Sequence, residues 1–145
     1  MTDLEKVKAW LLSYPDWDAG KLTYIDYTDA VPGSAGLFPQ GLEEISRRED
    51  VLGNRTVKNR YHFALYRVSE RQARTGKDAA WLMEFQNWVQ RQWAAGLAPR
   101  FGDVESDERI RAEGGKLQKA DAAGGVTYVV TLTAEFTKVY PAGTL

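Results

Sequence analysis

The chain has 145 residues, 43% hydrophobic and 27% charged, and its 19 basic and 20 acidic residues leave a formal net charge of −1. That length fits a single domain over residues 1–145 with a sizeable core. The near-neutral charge argues against a sequence-specific nucleic-acid partner, and no run of about 18 apolar residues marks a membrane span. With no cysteine, disulfides, thiolate nucleophiles and cysteine-ligated metals are excluded, so the fold rests on packing.

Thr2 and Glu5 form a capping box that predicts the start of a first helix. Its apolar stripe is Leu4, Val7, Trp10, Leu11 and Tyr14, and Pro15 with the following residues 16–20 ends it. The polar opening residues lack a secretory signal, and synthesis in a cytoplasm is expected. Residues 21–28 alternate Leu22 and Tyr24 against Ile25 and Tyr27, which predicts a strand covered on both faces. Residues 29–41 are rich in Pro, Gly, Ser and Ala, predicting a loop with an apolar tip at Leu37 and Phe38. Such a pair either folds back onto the core or meets another chain.

Residues 42–49 predict a second strand, and the Gly and Asn within residues 50–54 predict a hairpin turn. Residues 56–68 give the strongest strand pattern, with Val57, Tyr61, Phe63 and Leu65 on one face and Lys58, Arg60, His62, Ala64 and Tyr66 on the other. A charged break follows, then a helix over 77–95 with Gly96 and Pro99 as stop signals. This helix carries three of the five tryptophans. Trp81, Leu82, Phe85, Trp88, Val89 and the Gln92/Trp93 step share its apolar face. Residues 101–108 read as an acidic linker, 109–119 as a modest strand, 122–125 as a turn, and 126–140 as a long final strand. In that last strand Tyr128, Val130, Leu132, Ala134 and Phe136 alternate with a threonine-rich outer set. The order helix, three strands, helix, two strands predicts an α+β fold, a single antiparallel or mixed sheet with both helices on one face.

Chemistry is sparse. His62 is the single histidine, and a structural role outweighs a catalytic or metal-ligating one. Asp103, Glu105, Asp107 and Glu108 do not make a calcium loop, because Glu108 stands where that loop needs Gly and Gly114 where it needs a bidentate Glu. Neither Gly33-Ser-Ala-Gly36 nor Gly114-Gly-Lys116 has phosphate-loop spacing. Paired carboxylates such as Glu43/Glu44 and Asp16/Asp18 read as solvated. No catalytic residue, cofactor site or metal site is assigned, and an enzyme is not expected. Arg47, Arg48, Arg55, Lys58 and Arg60, interleaved with Glu43, Glu44, Glu49 and Asp50, suit protein contacts better than a phosphate backbone.

The runs Leu22–Asp29, Gly36–Gly41, Glu44–Asp50, Asn59–Tyr66, Trp81–Trp93 and Tyr128–Phe136 together resemble a small protein of the structural modules of Gram-positive prophages. The element order is similar to that of the tail terminator proteins of long-tailed phages. That resemblance implies a homo-oligomeric, hexameric ring that caps the tail tube, with the tail tube protein and a head-tail connector protein as partners. It also implies a place in the virion tail after synthesis in the bacterial host cytoplasm. Under it, Leu37, Phe38, Arg47, Arg48 and Arg55 are the expected interface residues. Another head-tail joining or minor capsid protein would share these features. A different class, a small ligand-binding domain, predicts a pocket lined by Trp81, Trp88 and Tyr66.

Overall fold

The computed structural model of the chain describes residues 1–15, 22–25, 35–70, 77–120 and 125–143. The chain is α+β. Helix α1 (Asp3–Leu12), strands β1 (Leu22–Ile25), β2 (Ala35–Glu49) and β3 (Arg55–Glu70), helix α2 (Lys77–Ala94), and strands β4 (Arg109–Ala120) and β5 (Gly125–Tyr140) follow in that order, with a short 3-10 turn at Glu105–Asp107. The sheet order is β1-β2-β3-β5-β4. β1 pairs with β2 in parallel and every other neighbour is antiparallel, so the sheet is mixed. No helix among the described residues is long and apolar enough to cross a membrane.

Local chemistry explains the helix ends. The Thr2 side chain accepts from the Glu5 amide, and the Glu5 carboxylate accepts from the Thr2 amide, so the expected capping box is present. At the end of α2, Gly96 adopts φ +72°. The Leu97 amide donates back to Gln92 O and the Gly96 amide to Trp93 O, closing the helix with the pair of reversed bonds that a left-handed terminal residue permits.

Both helices lie on one sheet face over one continuous core. Val7, Trp10, Leu11 and Tyr14 of α1 and Leu82, Phe85, Trp88 and Val89 of α2 meet Leu37, Phe63, Leu65, Ile110, Val130, Leu132, Ala134 and Phe136 of the sheet. Trp10 stacks on Trp88 at 5.0 Å, and its indole donates to the Gln92 side chain, locking the helices together. Tyr61 anchors α1 from below by donating to Asp3. Burial and that bond push the Tyr61 phenol up to about 12. Trp93 departs from the expected core face: it is partly exposed, and its indole donates to Glu108 O beside β4.

The predicted loop over 29–41 is overturned at its second half. Residues 35–41 begin β2 and pair in register with β3, while residues 29–34 lie outside the described residues. Proline and glycine suggested a loop because both weaken a regular strand. Here Pro39 lies in a strand with one described neighbour at its level, and Gly41 takes φ +108° where the register slips past Gln40. Both residues are tolerated at such a bulge. A second slip falls at Ile45. The first-strand prediction over 21–28 is met at Leu22–Ile25; residues 21 and 26–28, the helix-stopping residues 16–20 and the turn residues 121–124 lie outside the described residues.

Candidate interface surfaces

The hairpin of β2 and β3 is turned by Asp50, whose carboxylate accepts from the Leu52 and Asn54 amides and from the Asn54 side chain. Those bonds, the Asn54 side chain foremost, hold the Asp50 carboxyl below the usual range. Gly53 supplies the positive φ (+87°) that the turn requires. From Gln40 to Leu52 every residue is exposed. Leu42, Ile45, Val51 and Leu52 are large apolar side chains in solvent along this arm. From Phe38 to Glu49, β2 is paired on one side only among the described residues.

The predicted interface residues separate along the arm. Leu37 is fully buried (0% exposed) in the core, which corrects its assignment to a contact surface. Phe38, its neighbour, points to the opposite sheet face and meets Tyr66 edge-on at 4.9 Å. Arg47, Arg48 and Arg55 are brought together near the far end of the arm, Arg47 and Arg48 opposite Val57 and Thr56 and Arg55 opposite Glu49. Arg47 binds Glu44 at 2.8 Å, Arg55 lies 4.0 Å from Glu49, and Arg48 makes no ion pair with a described residue.

On the sheet face away from the helices, one row of charge crosses four strands. Glu43, Arg60, Glu135 and Arg109 stand in register on β2, β3, β5 and β4. Arg60 reaches Glu135 at 2.6 Å and Glu43 at 3.5 Å. Its guanidinium holds the Glu135 carboxyl below the usual range. His62 Nε2 lies 2.8 Å from Glu43 Oε2, the main cause of the lowered Glu43 pKa, with Arg60 adding to it. Arg109 ends the row in register but its guanidinium turns to the β4 edge, 5.4 Å from the Trp93 ring centre of α2, donating to Ser106 O and Glu108 O and meeting no described carboxylate. Sequence reasoning missed this row, because the pairing of β3 with β5 rather than β4 is a long-range property.

The threonine-rich outer set of β5 is partly closed: Thr133 and Thr137 are buried. Residues 101–108 cover the end of β5, where the Thr137 hydroxyl donates to Asp107 and the Asp103 amide to Thr137 O. Glu108 accepts from the Phe101 and Gly102 amides, yet burial outweighs these bonds and raises its carboxyl above the usual range. The pocket expected of a ligand-binding domain is not formed by the named residues. Trp88 is packed in the core, and Tyr66 stands beside Phe38 on the other side of the sheet. A groove of about 520 Å³ does run beside β4, between Gln86, Asn87, Gln90 and Trp93 of α2 and the first residues of the strand. No group of metal-binding side chains occurs among the described residues. No family model matches the chain, and no curated protein matches it.

Proposed function

We propose that the chain is a structural protein of a phage virion, the tail terminator that closes as a homo-oligomeric ring on the tail tube and joins it to the head connector. The observation that carries this reading is the β2–β3 arm. It presents Leu42, Ile45, Val51 and Leu52 to solvent beside interleaved Glu44, Arg47, Arg48 and Arg55. An apolar arm with mixed charge along an edge unpaired among the described residues suits a protein partner more than a small molecule or nucleic acid. Its work is then binding: a subunit contact along the arm, and an end-on contact that stops addition of tube subunits. The resemblance in element order supplies the tail as the setting.

The test is electron microscopy of the purified protein mixed with tail tubes. A closed ring at one end of each tube is the expected result. Tubes that stay bare at both ends, with the protein in excess, overturn the proposal.

A further inference from the structure

Besides the short outer side of β1, two long edges of the sheet are unpaired among the described residues, β2 beyond Leu37 and the outer side of β4. They run in opposite directions, because β2, β3, β5 and β4 alternate in sense. Copies set side by side in the same orientation therefore place β2 of one antiparallel to β4 of the next, continuing the alternation already present. A contact of this kind uses two different patches, so it repeats around a ring.

The charges select the partner. The row across the open face reads Glu43, Arg60, Glu135, Arg109, and its two ends have opposite sign. Among the described residues Arg60 satisfies two carboxylates, whereas Arg109 meets none and donates only to the Ser106 and Glu108 carbonyls. Those carbonyls carry no full charge, so a carboxylate such as the one at the other end of the row, on another copy, would complete Arg109. Aligning Glu43 with Arg109 also sets Leu42, 57% exposed, level with Ile110 on the helix side. There lies the groove of about 520 Å³ between α2 and β4, where Gln86 and Trp93 donate to Gly114 O and Glu108 O and would swing aside for an incoming strand.

We propose that copies of this chain associate head to tail by strand addition, the β2 edge of one lying in the α2–β4 groove of the next with Glu43 against Arg109. Main-chain hydrogen bonds supply affinity, and the charge row sets the register. The alternative in which β2 pairs with β2 also brings opposite charges together, Glu43 and Glu44 facing Arg48 and Arg47. It leaves Arg109 and the groove unused and gives only a closed pair.

This inference rests on the self-assembling role proposed above, and one set of variants tests it separately. Sedimentation velocity is run over a concentration series on the wild type, on Glu43→Arg, on Arg109→Glu and on an equimolar mixture of the two variants. Thermal melting checks the fold of each. The wild type is expected to form an oligomer, and each single variant to associate about tenfold more weakly or worse. The mixture is expected to recover, since every contact in an alternating ring is again opposite in sign. Should Glu43→Arg lose its fold beside Arg60, Leu42→Asp perturbs the same contact from the helix side. A monomeric wild type, association of Arg109→Glu equal to wild type, or a mixture that stays dissociated would each overturn the proposal. Tube capping unaffected by the single variants would remove this contact and leave the terminator reading intact. Charge-dependent oligomers that ignore tubes would do the reverse.

Discussion

Leu37→Ala separates core from contact surface at the base of the arm. Leu37 is fully buried between the helices and the sheet. The substitution removes three buried carbons, about 2.4 kcal/mol at ~0.8 kcal/mol each. The cavity left behind raises the loss to about 3 kcal/mol, within the usual range for a buried leucine. For a chain of this length that is a drop in Tm of about 10 °C. Phe38→Ala is the internal control. Phe38 is half-buried on the open face and touches Tyr66, so its loss is expected to cost about 1 kcal/mol. Calorimetry and urea titration of both variants read the difference directly. A Leu37→Ala protein that melts within about 2 °C of wild type while failing to oligomerise would refute the reasoning, because it would put Leu37 on a surface.

Gly102→Ala is expected to destabilise the protein by about 2 kcal/mol or more, because the added Cβ would fall 2.4 Å from Thr137 O and 2.8 Å from Thr137 N; an unchanged Tm would show that residues 101–108 do not pack on β5. Gly53→Ala, at φ +87°, is expected to cost about 1 kcal/mol by straining the hairpin turn, read by urea midpoint. Glu135, whose carboxyl is depressed by Arg60, is ionised in the fold to lower pH than in the unfolded chain. The stability it contributes is fully present above the unfolded value of about 4.3 and is lost as pH falls through the depressed folded value. Glu135→Gln should therefore flatten the acid limb of a Tm-against-pH plot, and parallel limbs for variant and wild type would contradict the Arg60 pairing.

The elements legible in the sequence are those set by local chemistry. The capping box, the glycine closing α2, the Asp50–Asn54 turn and the period-two patterns of β3 and β5 each involve residues within a few positions of one another. Their physics is short-ranged, so spacing alone reveals it. The first half of β2 has the local signature of a loop because Gly36, Pro39 and Gly41 weaken a strand, while the pairing of Ala35–Pro39 with Phe63–Arg67 that overrides them is long-range. Trp93 departs from its helical pattern for the same reason. Helical spacing places it near the apolar face, but its indole is claimed by a carbonyl fifteen residues on, at the start of an edge strand.

Of the residues proposed for the contact, the arginines of the arm are legible in the sequence and the β4 side is not, and the reason lies in how sheet edges are protected. A long exposed edge bearing Leu42 and Ile45 invites indiscriminate pairing. β2 carries two register slips and a dense set of charges, Glu43, Glu44, Arg47, Arg48 and Glu49, along that same edge. Bulges and charges disfavour a generic strand, since each unmatched charge brought against an apolar or like-charged neighbour costs free energy. They do not disfavour a strand whose own bulk and charge fit the pattern. The protection that keeps the edge from aggregating is thus also what makes it selective. In the proposed contact, the information that names the selected strand is divided between Glu43 and Arg109, which lie 66 residues apart in sequence and become ends of one row only through the strand order β2-β3-β5-β4.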